Sequence, residues 1–167
     1  MLQSARTVRL ARRADLPALA RIWRELMRLH EATDGRFALA PAAVERWLHL
    51  AEDMLGREDG FLLVAEERGV QLGFCVGWIA RNPPIYKSPE VGFISEIAVT
   101  AGAQRRGVGR ALVREAAQWF SRQGLHEMQL STAVWNEGAQ KFWRALGGEP
   151  LLVRYAFDLT TLTKEQA

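Results

Sequence analysis

Gln104-Arg105-Arg106-Gly107-Val108-Gly109 decides how this chain folds. It follows an apolar run from Phe93 to Val99 and opens onto an amphipathic run from Arg110 to Gln123. That order predicts a strand, a glycine-rich turn and a helix. Such a turn leaves backbone N–H groups unpaired at a helix N-terminus, where they and the helix dipole favour a phosphate or pyrophosphate. Gly107 and Gly109 have no Cβ, so a ligand can approach the backbone closely. The plainer reading is an ordinary strand-to-helix connection with two turn glycines. Two common phosphate loops are excluded by spacing. A Walker loop needs a Gly-Lys-Ser/Thr ending that is missing, and the dinucleotide fingerprint needs a small residue where Leu112 stands.

The pattern that fits is Gln/Arg-x-x-Gly-x-Gly/Ala, met by Gln104, Gly107 and Gly109. With it the chain resembles the GNAT superfamily of N-acetyltransferases, whose pyrophosphate loop for acetyl-coenzyme A has this form. Ile97-Ala98-Val99 resembles the family's fourth strand, and the run from Asn136 through Phe142 and Trp143 to Gly147 resembles its fourth helix. These motifs lie within residues 93–148. The resemblance implies an α/β fold: a mixed, mostly antiparallel sheet flanked by helices, with splayed central strands.

The 167 residues, 49% of them apolar, suit one well-filled core, and a single domain over 1–167 is expected. The net charge is only +3, and 19 arginines and three lysines are scattered rather than clustered. A nucleic-acid-binding domain is therefore a weak competitor, because it calls for a basic stripe. The single cysteine, Cys75, excludes an intrachain disulfide and sits in an apolar run, as a buried inert thiol does. No stretch has membrane-spanning length and the N-terminus has no signal-peptide core, so a cytoplasmic protein without membrane or nucleic-acid partners is expected.

Along the chain, Thr7 to Ala11 is a short strand candidate. Asp15 is placed to cap a helix with Pro17 in its first turn and a stripe of Leu16, Leu19, Ala20, Trp23, Met27 and His30. Pro41 starts a second helix, with Val44, Trp47, Leu48, Ala51 and Leu55 on one face. Phe61–Ala65 and Leu72–Ile79 read as a hairpin around Arg68-Gly69. The proline-rich segment 82–89 must be a loop, since its prolines cannot donate to a ladder. Leu112, Ala116, Trp119 and Phe120 form the buried stripe of the helix that Gly124 closes. Met128–Val134 is expected as a fifth strand, Asn136 as an N-cap, and Leu151–Leu159 as a last strand.

The resemblance also implies roles. The amides from Arg105 to Arg110, with Gln104, Arg106, Gly107, Val108 and Gly109 in the loop, would hold the cofactor pyrophosphate. The backbone of Ile97, Ala98 and Val99 would pair with the pantetheine arm, and the Val99 N–H would meet the thioester oxygen. Asn136 matches the family asparagine that touches the arm, although its helix-capping role alone also explains it. Many family members carry a tyrosine acid where Trp143 stands, and some a glutamate where Ser131 stands. Glu96 then remains as the candidate base. It lies in an otherwise apolar strand with its side chain opposite to Ile97, and the competing reading is a rim carboxylate paired with an arginine. His30, Asp34, Phe37 and Tyr86 are candidates for the wall around a small-molecule or peptide amine acceptor. No metal is expected. A coenzyme A binding module without catalysis is the alternative function. Six tryptophans and the apolar C-terminal segment suggest a homodimer.

Overall fold

Strand alternation sorts the sheet's side chains into two cores, one under each layer of helices. The computed structural model describes residues 6–162, and the chain divides into two compact units, Met1–Ser131 and Thr132–Ala167. The first unit contains β1 (Thr7–Leu10), α1 (Leu16–Thr33), α2 (Ala43–Asp53), β2 (Gly60–Glu67), β3 (Val70–Arg81), β4 (Glu90–Val99), α3 (Val108–Arg122) and β5 (Met128–Leu130). The strands run in the order β1-β2-β3-β4-β5. All neighbours are antiparallel except β4 and β5, which are parallel. This is the mixed, mostly antiparallel α/β architecture expected above.

Phe61, Leu63 and Ala65 of β2 point to the α3 side and join Cys75, Ile94, Leu112, Ala116 and Phe120. Leu62 and Val64 point the other way, to α1 and α2, and meet Leu19, Ile22, Trp23, Trp47, Phe74 and Ala98. Sequence periodicity anticipated the stripes of α1, α2 and α3, because each helix shows one apolar face to one layer. The hairpin between β2 and β3 is the tight turn expected from Arg68-Gly69. Both residues have positive φ, 53° and 76°, which matches the right-handed twist of the flanking strands. The loop 82–89 closes on itself, with Asn82 N–H on the Pro89 carbonyl at 2.9 Å and its side-chain amide on the Ser88 carbonyl at 3.0 Å.

Asp15 corrects one expectation, since its side chain does not cap α1. It accepts instead from the Arg12 N–H at 2.7 Å, from the Arg9 guanidinium at 2.8 and 3.0 Å, and from Gln71 at 3.0 Å. Arg9 reaches it from β1, and a two-pronged guanidinium pair with two further donors outweighs a single bond to a helix N–H. Asp15 is 4% exposed, and these bonds, Arg9 foremost, pull its carboxyl down to about 2.

The fifth strand is shorter than expected, pairing only Met128–Leu130 with Gly92–Ile94. Beyond it the chain turns, with Asn136 N–H on the Ala133 carbonyl at 3.0 Å, and a turning backbone cannot extend a ladder. In the second unit Asn136 caps α4 (Glu137–Arg144), accepting from Ala139 N–H at 3.0 Å. Gly147, at φ 90°, ends it. The expected last strand is absent: residues 151–158 enter no ladder, and a single helical turn, Leu159–Leu162, follows. Leu151, Leu152, Val153, Tyr155 and Phe157 are all exposed. Their apolar pattern suits a strand, but among the described residues no strand pairs with them.

Candidate active site

One extra residue in β4 determines where Glu96 points. Val76 faces Glu96 and the next residue of β3, Gly77, faces Ile94, so Ser95 has no counterpart. A bulge of this kind breaks the period-two alternation. Ile94 therefore packs with α3, and Glu96 reaches the indoles of α1 and α2 instead of sharing Ile94's face. From Glu96 onward alternation resumes, with Ile97 on the α3 side and Ala98 buried on the other.

The Glu96 carboxylate accepts from Trp47 Nε1 at 2.9 Å on one oxygen and from Trp23 Nε1 at 3.3 Å on the other. The two rings stack, with centroids 5.4 Å apart and planes 20° from parallel. Burial pushes the Glu96 carboxyl above the ordinary carboxylate range, and the two indole donors offset part of that rise. The arginine pairing considered for Glu96 is not what holds it, since its hydrogen bonds come from the two indoles. Cys75, on β3, is fully buried and its thiol is pushed up by burial, with the charge of Glu96 adding to the effect. A thiol so placed is inert.

The main chain of β4 offers an edge. Thr100 N–H bonds the Leu72 carbonyl at 2.9 Å. In an antiparallel ladder this gives the main-chain groups of Ala98 to β3 and turns those of Ile97 and Val99 the other way. The ladder to β5 stops at Ile94, which places these two residues beyond the last paired rung. The Gln104 side-chain amide lies 3.4 Å from the Val99 carbonyl.

The loop then delivers the helix N-terminus. Arg105 and Gly107 take positive φ, 61° and 80°. Gly107 is the residue before α3, and among the described residues no side chain caps that helix. The Ala111 N–H on the Gly107 carbonyl, at 3.1 Å, opens the helical ladder. The N–H groups of Val108, Gly109 and Arg110 therefore precede it, as donors that need an outside partner. Val108 is buried in the core beneath. Such a turn fits a diphosphate. The loop is held from behind by residues the sequence reading did not single out: Arg6 Nη1 donates to the Arg106 carbonyl at 2.8 Å, and Glu67 pairs with both Arg6 and Arg106.

The acceptor-wall candidates separate. His30 and Phe37 meet edge to face, 5.4 Å between centroids, at the end of α1. The His30 Nδ1 lies 3.0 Å from the Leu26 carbonyl. Asp34 is clasped by Arg36 at 2.6 to 3.0 Å and serves the turn that follows α1. Tyr86 is exposed on loop 82–89, where its N–H bonds the Pro83 carbonyl. Asn136 belongs to the second unit as a helix cap. Trp23 and Trp47 were assigned in sequence to core stripes, which they do occupy. Nothing in two separate periodic stripes reveals that both indole N–H groups end on one carboxylate.

Comparison with known proteins agrees with this architecture. Residues 19–147 match the model of the Acetyltransferase (GNAT) family. A mycothiol acetyltransferase of Paenarthrobacter aurescens (strain TC1) is 35% identical over 97 residues, covering 58% of this chain and 29% of the relative. An uncharacterized N-acetyltransferase of Methanocaldococcus jannaschii, MJ1207, is 35% identical over 95 residues, covering 55% of this chain and 40% of the relative. The chain thus spans less than half the length of these curated relatives. Among solved structures, the aminoglycoside N-acetyltransferase AAC(6′)-Iy in complex with CoA superposes with a TM-score of 0.77 at 22% identity, over 93% of this chain and 95% of that one. A mutant of the BH1408 protein from Bacillus halodurans gives 0.81 at 18% identity, over 91% and 98%. At those identities the superpositions speak for the fold, and the family match, which takes in β4, the glycine loop and α3, establishes that this chain belongs to the GNAT acetyltransferase family.

Proposed function

We propose that this protein is an acetyl-coenzyme A dependent N-acetyltransferase acting in the cytoplasm on a primary amine, with Glu96 as the base. The observation that carries the reading is a desolvated carboxylate on the strand whose next residues, Ile97 and Val99, turn their main-chain groups away from β3. Acetyl-coenzyme A supplies the acetyl group as a thioester. The N–H groups of Val108, Gly109 and Arg110 hold its pyrophosphate, an anchor remote from the reacting carbon. The main chain of Ile97 and Val99 pairs with the pantetheine arm, and the Val99 N–H steadies the carbonyl oxygen as negative charge gathers there. Glu96 takes the proton of the acceptor ammonium, directly or through one water. A carboxyl raised by burial above its ordinary value suits that task better than an unperturbed one. The N–C bond then forms as the C–S bond breaks, and the second proton of the attacking nitrogen passes to water or to the departing thiolate. A thiol of pKa near ~8.5 leaves as thiolate without a strong acid.

His30, Phe37 and Tyr86 are proposed as acceptor contacts. Asp34 is the weakest of the set, because Arg36 already occupies its carboxylate. The assembly we propose is a homodimer, supported by the exposed apolar side chains of residues 151–157.

Glu96→Gln tests the reading. The amide oxygen can keep the bond to Trp47 while its NH₂ faces the Trp23 donor, at a cost of about 1–3 kcal/mol in stability. The fold should survive, kcat should fall by ~10²-fold or more, and coenzyme A affinity should stay unchanged. Wild-type rates in this variant would remove Glu96 from the mechanism. Cofactor binding without turnover on any amine would make the chain a binding module.

A further inference from the structure

Glu96 is held in a manner unlike the other inward carboxylate, Asp15. Asp15 is clasped by the Arg9 guanidinium and driven down to about 2. Among the described residues Glu96 is held by neutral donors alone, although the chain has 19 arginines. Both indoles are buried, Trp23 at 5% and Trp47 at 6% exposure. A buried indole N–H needs an acceptor, and these two, from different helices, find the same one on opposite oxygens. A guanidinium in their place would give a stronger clamp and a much weaker base.

We propose that Trp23 and Trp47 are positioning residues for Glu96: a stacked indole pair that fixes the carboxylate by one neutral hydrogen bond per oxygen and leaves each oxygen a lone pair for the incoming proton. The inference rests on the reading of Glu96 as the base. Each carboxylate oxygen accepts more than one hydrogen bond, so the indoles do not block proton transfer. The stack also ties α1 to α2 across the carboxylate, so the orientation of Glu96 depends on both helices being in place.

The elements packed around Glu96 carry other ionisable groups. On β3 the Cys75 thiol senses the Glu96 charge, and burial keeps it protonated. On α1, Glu25 holds the Ala101 N–H at 3.0 Å and Arg24 pairs with Glu31. On α2, Glu45, Arg46 and His49 are exposed. Desolvation and the two indoles are thus what set the titration of Glu96.

The test follows the Glu96 carboxyl carbon by NMR through a pH titration of the full chain, in the wild type, Trp23→Phe and Trp47→Phe. Phenylalanine keeps an aromatic ring and removes the N–H. Loss of a donor to the charged form should move the Glu96 midpoint up by about one pH unit for Trp47→Phe, and by less for Trp23→Phe, whose bond is longer. With spermidine and kanamycin as amine probes, the acidic limb of kcat/KM should move with it, and KM for acetyl-coenzyme A should hold. Should Trp47→Phe fail to fold, benzothienylalanine at position 47 keeps the indole shape without the N–H and must give the same shift. An unmoved midpoint in a folded variant overturns the proposal while leaving Glu96 free to be the base. A moved midpoint together with a fully active Glu96→Gln keeps the clamp and removes the base.

Discussion

Gly107 and Gly109 stand two residues apart, yet alanine at each should change stability in opposite directions. Gly107 precedes α3 at φ 80°. Among the described residues a Cβ there meets only Arg6 Nη1, at 3.7 Å, so the penalty comes from the backbone. The left-handed region costs an L-residue ~1–2 kcal/mol, which lowers Tm by about 2–8 °C for a chain of this size. Gly109 lies inside α3 and is not among the glycines with positive φ. Alanine there relieves the helix of glycine's entropy cost, up to ~1 kcal/mol, and should raise Tm by about 2–4 °C. Ligand binding should separate the two effects. A Cβ at Gly109 stands among the amides proposed to receive the pyrophosphate, and losing one hydrogen bond to a charged group costs ~1.5–3 kcal/mol, or about 10- to 100-fold in affinity. Gly109→Val should therefore bind coenzyme A about 10- to 100-fold more weakly by isothermal titration calorimetry. Gly109→Ala should be the more stable protein and the poorer binder. A folded Gly109→Val variant with wild-type affinity would refute the assignment of this helix N-terminus to the pyrophosphate.

Asp15 predicts a pH effect on stability. Its carboxyl is lowered from 3.8 to about 2 in the folded chain, so the contribution is fully present above pH 4 and is lost as pH falls toward 2. Asp15→Asn should cost roughly 2 kcal/mol in urea unfolding at pH 7, with the difference closing toward pH 2; a constant difference across that window would refute the ion-pair account. The apolar segment gives a prediction about assembly. Leu152→Asp with Phe157→Asp should turn a dimer into a monomer in analytical ultracentrifugation, and a wild-type monomer at high concentration would argue against any such interface.

The elements whose form is set by neighbouring residues were legible in the sequence. Gly107 and Gly109 announced the turn, Arg68-Gly69 the hairpin, Asn136 and Gly147 the bounds of α4, and the stripes of α1, α2 and α3 their buried faces. Propensity, capping and periodicity act over a few residues, so one sequence carries them. The motif order around Gln104–Gly109 was specific enough to indicate the fold. Glu96 was legible as a lone carboxylate in an apolar strand, but not in its surroundings. Trp23, Trp47 and Glu96 come from positions 73 and 49 residues apart along the chain, and no local period links them. Which face Glu96 takes relative to Ile94 depends on the extra residue at Ser95, visible only once β4 is set against the register of β3. Asp15 left its expected cap because Arg9 arrived from β1. The strand expected at 151–159 has the alternation of a strand and no partner among the described residues. A ladder needs a second edge, and only the tertiary structure says whether one is there.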